Sequence, residues 1–313
     1  HALIEKGVQQ GNYVGIYLDP SHLFYIAELA ILKVGAVFIP LSKESPNERL
    51  EKIINDAKIN FFIVDDNTGG LFDTNCAAQL ISIMATKSVN LNKSLPVIVK
   101  SIEDTFCVLY TSGSTGMPKG VVLPEKGILR VVGSPNFIQV SPGDKVAQTA
   151  NQAFDAAQLE CWLAWNHGAS LVLFDKKTIL NVNSFRKKLK DKNITHMWLT
   201  AGLFDAYAND KPDLFKSLKY LMVGGDVVHK KAILNVLNLE KPPIIINGYG
   251  PTEASIFALT HTFDKQTINN YTTTLVGSPI NETEVEILTL FATKTPLGGI
   301  GELCIKGNGV GGY

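Results

Sequence analysis

The sequence predicts an α/β fold: two doubly wound α/β subdomains in succession, followed by part of a small β-barrel subdomain. Short runs rich in Val, Ile, Leu and Phe alternate with longer amphipathic segments, which is the pattern of parallel strands joined by helices. A Pro-Gly-Asp turn signal at 142–144 interrupts this series, and beyond Tyr271 the strands follow one another without helices. We therefore expect subdomains over residues 1–140, 141–270 and 271–313.

The first subdomain opens with a strand, YVGIYL at 13–18, and a helix over SHLFYIAELAILKV at 21–34. A strand at 36–40 and a helix from about Pro46 to Ala57 continue the alternation. Further strands are expected at NFFIV (60–64), LISI (80–83) and FCVLY (106–110).

The second subdomain repeats this alternation and the third does not. In the second subdomain, strands are expected at KVAQTA (145–150), SLVLF (170–174), THMWLT (195–200), YLMVGG (220–225) and PIIING (243–248), with helices at 156–166, 182–192 and 229–239. The segments VGSPI, TEVEIL and GELCIKG, with Gly and Pro turns, predict the small antiparallel β subdomain.

Composition excludes several classes of protein. The chain has 29 Lys+Arg against 29 Asp+Glu, so no basic excess would attract nucleic acid or an anionic membrane. With 45% hydrophobic and 19% charged residues, it is neither disordered nor collagen-like. Glu28, Lys33 and Gly35 interrupt the longest apolar stretch, so no membrane span is expected.

The cysteines and the first residues indicate the compartment. Four cysteines lie far apart, without metal-ligand spacing, and predict free thiols in a reducing cytoplasm. The first residues lack the basic and apolar regions of a signal peptide. Because the chain does not begin with Met, we expect it to be a fragment of a cytoplasmic protein.

The sequence LYTSGSTGMPKGV at 109–121 gives the strongest chemical signal. A polyphosphate needs N–H groups exposed on a tight turn, short hydroxyl donors and a cation. The candidates that supply them are Thr111, Ser112, Gly113, Ser114, Thr115, Gly116, Lys119 and Gly120. A Walker A loop is excluded because the lysine follows Pro118. We expect a mobile connection between two strands; the alternative is a turn without a ligand.

This stretch resembles the phosphate-binding signature of the adenylate-forming enzymes, which include acyl-CoA synthetases, luciferases and the adenylation domains of non-ribosomal peptide synthetases. Four other segments resemble motifs of that family in the same order. They are LKVGAVFIPLSKESPNERL (32–50), NQAFDAAQLECWLAWNHGASLVL (151–173), NGYGPTEAS (247–255) and GELCIKGNGVGGY (301–313). Ala157 stands where the family usually has Ser. The chain is identified as a member of that family, with the peptide-synthetase adenylation domain as the nearest type.

The resemblance implies an ATP site with Mg²⁺. It places Asn247 at the adenine amino group, Tyr249 on the ring, Thr252 at the α-phosphate and Glu253 on the metal ion. Gly224 and Gly225 would form a backbone wall beside the base, and Gly248 is a further cofactor-binding residue. From the residues alone, NGYGPTEAS could instead be a strand-ending turn whose glutamate caps the next helix.

Asp155 resembles the aspartate that pairs with the substrate's α-ammonium in amino-acid-activating members. Members that activate fatty or aryl acids usually have no acid there, and a helix cap is the alternative role of Asp155. The family's other specificity positions match Ala156, Leu159, Trp198, Met222, Gly224, Gly248, Ile256 and Phe257. None is charged, so we expect a small aliphatic amino acid, with valine favoured. Leu159, Trp198 and Met222 could also be ordinary core residues.

The expected reaction is ATP-dependent formation of aminoacyl-AMP and pyrophosphate, followed by transfer to the thiol of a peptidyl carrier protein in cis or in trans. Catalysis in the family is mostly charge neutralisation and alignment, which assigns catalytic roles to Thr111, Ser112, Lys119, Thr252 and Glu253. The chain ends before the family's ribose-binding aspartate and lid domain, so we expect an incomplete enzyme. The alternatives are an acyl- or aryl-CoA ligase and a non-catalytic nucleotide-binding module.

Overall fold

The computed structural model describes residues 1–65, 78–84, 97–112 and 116–313. These residues form two compact units, each containing a mixed sheet with helices, which confirms the predicted α/β fold class. The first unit is His1–Glu125 with Asn151–Asp155 and Gly311–Tyr313; the second is Lys126–Ala150 with Ala156–Val310. The finer division at 140 and 270 stays a prediction from the sequence.

The first unit contains a six-stranded sheet with the strand order β4-β3-β1-β2-β5-β6. The strands are β1 (Tyr13–Tyr17), β2 (Val37–Pro40), β3 (Phe61–Val64), β4 (Gln79–Ser82), β5 (Thr105–Ser112) and β6 (Pro118–Pro124), and the helices are α1 (Ala2–Glu5), α2 (His22–Lys33) and α3 (Asn47–Ala57). All pairs are parallel except β5–β6. Leu50 and Ile53 of α3 pack with Ile39 and Phe62 of the sheet, and this burial of apolar surface holds the helix in place.

The second unit contains a seven-stranded sheet in the order β13-β12-β11-β10-β9-β7-β8. Its strands are β7 (Lys145–Gln148), β8 (Ser170–Leu173), β9 (His196–Thr200), β10 (Tyr220–Gly224), β11 (Ile244–Tyr249), β12 (Leu259–Thr262) and β13 (Ser278–Pro279). The helices from here on are α4 (Glu125–Val132), α5 (Asp155–Asn166), α6 (Lys176–Leu180), α7 (Val182–Asp191), α8 (Ala201–Asp210) and α9 (Lys230–Leu237). Strands β7 to β11 are parallel, and β12 and β13 add an antiparallel edge.

A separate antiparallel pair, β14 (Thr283–Leu288) and β15 (Glu302–Gly307), completes the described strands. Val285, Leu303 and Ile305 on one face of this pair pack against Ala258 and Leu259 of the second unit. A two-stranded sheet is marginally stable alone, so this apolar contact stabilises it.

The strands and helices predicted from the sequence are present within two residues of their expected bounds. One assignment was wrong: VGSPI was expected in the small β subdomain, yet Ser278–Pro279 pairs with β12 at the edge of the second sheet. Helices α1, α4, α6 and α8 and strand β12 were not predicted. Helix α8 follows β9 without an intervening turn residue, so no sequence signal separates the two elements.

Among the helices that the structure describes, none combines the length and apolar character needed to span a bilayer. Cys107, Cys161 and Cys304 are free thiols, as expected. Cys76 lies outside the described residues.

Candidate active site

The predicted phosphate-binding stretch is the tip of the β5–β6 hairpin. Thr111 lies opposite Lys119 and Ser112 opposite Pro118, so the loop is shorter than the predicted range from Thr111 to Gly120. The antiparallel ladder extends further because Thr favours strands and proline is tolerated at a strand's first position. Gly113, Ser114 and Thr115 lie outside the described residues. The predicted mobility of the loop concerns these residues and stays a prediction.

Gly116 and Gly120 are required in this hairpin for different structural reasons. Gly116 has φ +78°, a left-handed conformation that glycine adopts without strain. A Cβ at Gly120 would come within 3.0 Å of the Tyr110 ring. The hairpin therefore needs Gly116 for its turn and Gly120 for the packing of Tyr110.

Lys119 lies over an aromatic ring. Its Nζ is 3.1 Å from the ring centroid of Tyr313, and Gly312 is held beside the hairpin by paired backbone hydrogen bonds with Val122. In the described part of the chain, no carboxylate forms an ion pair with Lys119. A cation held by a π face keeps its full charge, which suits it to bind a phosphate.

A cavity of about 490 Å³ opens in the second unit at the carboxyl ends of β10 and β11. Parallel sheets bind ligands at that edge, and this volume suits a small molecule. The predicted adenine residues Gly225, Asn247, Gly248 and Tyr249 line it. The lining residues that sequence reasoning missed include Asp226, Thr273, Thr274 and Val276. The run of threonines before VGSPI was the available signal, but it was assigned to the next subdomain.

Asn247 is oriented within this cavity. Its side chain is buried, and its Nδ2 donates a hydrogen bond to the Leu275 carbonyl at 2.9 Å. A carbonyl can only accept, so the amide nitrogen must face Leu275 and Oδ1 is left as the acceptor. An acceptor is what an adenine amino group requires.

Gly224 and Gly225, next to the cavity, have different structural reasons for being glycine. A Cβ at Gly224 would lie 2.3 Å from the carbonyl oxygen of Gly248, its neighbour on β11. Gly225 has φ +81° and nothing within 4 Å of its Cβ position. Gly225 therefore has a left-handed conformation that glycine adopts without strain, and its role beside the base stays a prediction.

Four predicted substrate residues share one face of the second sheet. Trp198 is the register partner of Met222, and Gly224 is the register partner of Gly248 two residues further along. Side chains alternate between the faces of a strand, so this face is opposite the one that carries Asn247. The Phe257 ring covers Gly248, where a Cβ would lie 2.3 Å from the ring.

The other predicted substrate residues occupy a helix and a turn. Ala156 and Leu159 are buried on α5, three residues apart and therefore on one helix face. Ile256 and Phe257 follow a single 3₁₀ turn, Thr252–Ala254, which begins soon after β11 ends. Their burial is equally consistent with core packing, so their substrate role stays a prediction.

Asp155 is the first residue of α5, so the helix begins one residue earlier than predicted. The side chain lies in the first turn, where the helix dipole favours a carboxylate. Burial, and after it the charges of Glu28 and Asp155, raise the pKa of the Cys107 thiol well above its usual value. Asp155 thus adds negative charge near the β5 strand.

A buried carboxyl group that the sequence did not single out as functional is Glu160 of α5. It accepts hydrogen bonds from the Thr149 and Ala150 amides, and burial raises its pKa to about 7. The Thr149 hydroxyl is 2.8 Å from both Glu160 Oε1 and the carbonyl oxygen of Trp198. The hydrogen bonds that Thr149 donates to this carboxylate stabilise its charged form and lower the pKa, so they offset part of the effect of burial.

Glu253 has the chemistry expected of a magnesium ligand. It is half-buried in the Thr252–Ala254 turn and offers hard carboxylate oxygens. Within the described residues, no group of three or more His, Cys, Asp or Glu side chains could hold a metal ion alone. Mg²⁺ is commonly bound by one or two carboxylates together with substrate phosphates, so the residues present fit a nucleotide-dependent site.

Comparison with known proteins identifies the family. The family model described as AMP-binding enzyme matches residues 1–313. The chain belongs to this family. It is 36% identical to Malpibaldin synthetase of Mortierella alpina over 310 residues, covering 99% of this chain and 6% of the synthetase. It is 31% identical to Bacitracin synthase 1 of Bacillus licheniformis, covering 98% of this chain and 6% of that protein.

Solved AMP-binding structures share the fold. The N-terminal subdomain of Klebsiella oxytoca NpsA in complex with 3-hydroxyanthranilyl-AMSN gives a TM-score of 0.89 at 26% identity, covering 99% of this chain and 78% of that one. NpsA-ThdA, an artificially fused adenylation-PCP di-domain NRPS, gives 0.90 at 26% identity, covering 99% and 62%. These similarities confirm the resemblance to the adenylation domains of non-ribosomal peptide synthetases that the motifs predicted.

Proposed function

We propose that the protein carrying this chain activates a small aliphatic amino acid with ATP, forming aminoacyl-AMP and pyrophosphate. The observation that carries the proposal is the cavity at the β10 and β11 ends, where Asn247 offers an oriented acceptor beside the backbone of Gly225. Membership of the AMP-binding family supports a nucleotide as the ligand. The chain spans about 6% of the curated relatives it matches, so the activity of the whole protein is part of this proposal.

The chemistry requires alignment more than proton transfer. The substrate carboxylate attacks the α-phosphorus in line and pyrophosphate leaves, so the protein must hold both reactants and neutralise charge. Lys119 and the hydroxyls of Thr111 and Ser112 bind the polyphosphate, and Thr252 binds the α-phosphate. Glu253 would hold Mg²⁺, which neutralises phosphate charge when bound.

Substrate selection is assigned to Asp155 and to the uncharged residues at the family's other specificity positions. The carboxylate pairs with the α-ammonium, since a buried ammonium without a counter-ion is strongly disfavoured. Trp198 and Met222 lie side by side on one sheet face and present apolar surface to the side chain. Phe257 lies over Gly248 on that face, so the space is small and valine is the favoured substrate.

An aryl acid is the second candidate substrate. NpsA, which is similar to this chain, has been solved with 3-hydroxybenzoyl-AMSN and with 3-hydroxyanthranilyl-AMSN. Asp155 argues against a substrate without an amine. A CoA ligase acting on such acids, or a module that binds nucleotide without turnover, would share the fold but not the dependence on an amino acid.

The proposed partner is a peptidyl carrier protein, in cis or in trans, whose thiol receives the aminoacyl group. The similarity to an adenylation-PCP di-domain supports this partner. A cytoplasmic location is proposed with it, since ATP is the co-substrate.

The proposal is tested by amino-acid-dependent exchange of labelled pyrophosphate into ATP, using the protein at its full natural length. Glu253→Gln should lower turnover at saturating substrate while changing the KM for the amino acid little. Glu240→Gln, at an exposed position after α9, is the matched control and should be unchanged. If Glu253→Gln exchanged pyrophosphate at the wild-type rate, the metal-binding role would be rejected.

A further inference from the structure

The turn that carries Ile256 has an unusual backbone. Ser255 and Ile256 are consecutive non-glycine residues with φ +52° and +75°. A β-branched residue is rarely left-handed, because its Cβ crowds the backbone. Such a conformation persists only where the surroundings over-determine it, and it is common at binding sites.

Arg130 of α4 holds both ends of this turn. Its Nη2 donates to the carbonyl of Ala254 at 2.6 Å and to that of Phe257 at 2.7 Å, and its Nη1 donates to the Thr283 hydroxyl. Arg130 is 4% exposed. The two carbonyls flank the left-handed pair, so one planar group fixes the span of the strained segment.

Two glycines make room for this arrangement. A Cβ at Gly309 would lie 2.1 Å from Arg130, and a Cβ at Gly127 would lie 2.3 Å from the Ser255 hydroxyl oxygen. The Ser255 hydroxyl donates to the Gly309 carbonyl at 2.7 Å. Helix α4, the turn and the segment after β15 are therefore joined at a single buried point.

Burying the charge of Arg130 is energetically costly, which indicates that the main role of this residue is not to stabilise the fold. Burial lowers the pKa of Arg130 to about 10, and the negative charge of Glu282 offsets this only in part. Nε finds no hydrogen-bond partner among the described residues. A buried cation bound mainly to carbonyl groups is a weak source of stability, and an apolar residue would often serve better.

We propose that Arg130 is a positioning residue for substrate selection: it fixes the turn 254–257 and so sets where Ile256 and Phe257 meet the amino-acid side chain. The proposal rests on the proposed function for its meaning in catalysis. Arg130 contacts neither reactant and acts only through the turn.

The test compares Arg130→Lys, Arg130→Met and Thr283→Val in the protein at its full natural length. Lysine keeps the charge but cannot donate in two fixed directions. Thr283→Val removes only the hydroxyl that Nη1 contacts, so it keeps the proposal testable if Arg130→Met fails to fold. Arg186→Met is the control, because Arg186 pairs with Asp213 on the surface of the second unit.

In pyrophosphate exchange, we expect the amino-acid KM to rise on the order of 10- to 100-fold in both Arg130 variants, with the ATP KM changed less than about twofold. The preference for valine over leucine should fall in parallel, and Thr283→Val should show a smaller change in the same direction. A lower melting temperature with wild-type KM and wild-type preference would overturn the proposal.

Hydrogen exchange separates this proposal from the proposed function. We expect faster amide exchange at residues 254–257 in Arg130→Lys than in the wild type, whatever reaction the protein catalyses. If the wild type failed to exchange pyrophosphate with any amino acid, the proposed function would fail and the hydrogen-exchange result would decide the role of Arg130. Unchanged exchange at the turn would reject it.

Discussion

The side-chain amide of Asn247 donates to the Leu275 carbonyl, and this bond fixes which of its two polar atoms is available. The acceptor Oδ1 is then complementary to an adenine amino group and not to the carbonyl of guanine. The same residue lies on β11 directly before Gly248, whose side-chain position faces the opposite side of the sheet. In the proposed function, β11 therefore contributes residues to both the nucleotide site and the substrate site.

Asn247→Leu should raise the KM for ATP. The loss of binding free energy should be roughly 1–3 kcal/mol, because the adenine amino group loses its hydrogen-bond acceptor. The amino-acid KM should change less. Asn235→Leu is the matched control, because its Nδ2 also donates to a carbonyl, that of Ala208, away from the cavity. The measurement is pyrophosphate exchange at varied ATP. Equal ATP KM values in both variants would contradict the adenine role.

Gly248→Ala should weaken amino-acid binding by forcing the Phe257 ring away from its position. The added Cβ would lie 2.3 Å from that ring, and overpacking of this kind costs roughly 1–3 kcal/mol. Gly202→Ala on α8 has nothing within 4 Å of the added Cβ and should be neutral or slightly stabilising. Thermal unfolding and the amino-acid KM check both expectations, and a neutral Gly248→Ala would argue against a tight pocket here.

Trp198→Ala should shift the preference of the enzyme toward longer side chains. The indole is buried beside Met222, and its removal opens space below the pocket. Each methylene gained or lost in such a pocket is worth roughly 1–3 kcal/mol of discrimination. Trp165→Ala, at the far end of α5, removes equal volume and should leave the preference unchanged. If the valine-to-leucine ratio stayed at the wild-type value in Trp198→Ala, the tryptophan would be a core residue only.

Glu160 should make the stability of the protein fall as the pH rises. Its pKa is raised from 4.5 to about 7, so the folded state binds more protons than the unfolded state between these values. The stabilising contribution is complete below pH 4.5 and is lost as the pH rises through 7. We expect the unfolding free energy of the wild type, relative to Glu160→Gln, to fall by roughly 2–3 kcal/mol from about pH 5 to 8.

Denaturant unfolding of both proteins at each pH gives this difference directly. Asp144 and His196, whose pKa values are lowered, titrate in both proteins and cancel in the comparison. A difference that did not vary with pH would mean that the Glu160 carboxyl keeps its ordinary pKa in the folded state.

The fold was predictable because each strand is a short apolar run bounded by turn residues. β10 (YLMVG) and β11 (IIINGY) have this pattern, and their order along the chain gives a parallel sheet. The position of Ser278–Pro279 was not predictable, because two residues carry no periodicity and the partner edge on β12 is set by tertiary structure. The short β5–β6 loop was missed for a similar reason, since Thr111 is compatible with a strand or a loop.

The candidate site was predictable only where a motif marks the residues. Asn247 and Tyr249, which belong to the NGYGPTEAS motif, line the cavity, whereas Thr273 and Thr274 come from a segment without a recognised motif. Arg130 was missed because its role depends on carbonyl groups far away in sequence. The local sequence signal is a single arginine within the apolar run GILRVV, which indicates that the Arg130 side chain is buried and needs hydrogen-bond partners.

The measurement that tests the central claim most directly is a pyrophosphate-exchange panel of all proteinogenic amino acids, with short-chain fatty and aryl acids added. We expect the highest activity with valine, loss of every amino-acid-dependent signal in Asp155→Ala, and wild-type activity in Asp191→Ala, which alters an exposed aspartate at the end of α7. The unpaired ammonium in Asp155→Ala would cost several kcal/mol. Strong activity with a charged amino acid would contradict the account of the pocket. Activity only with acids that lack an amine would contradict the role of Asp155 and indicate an acyl- or aryl-acid ligase.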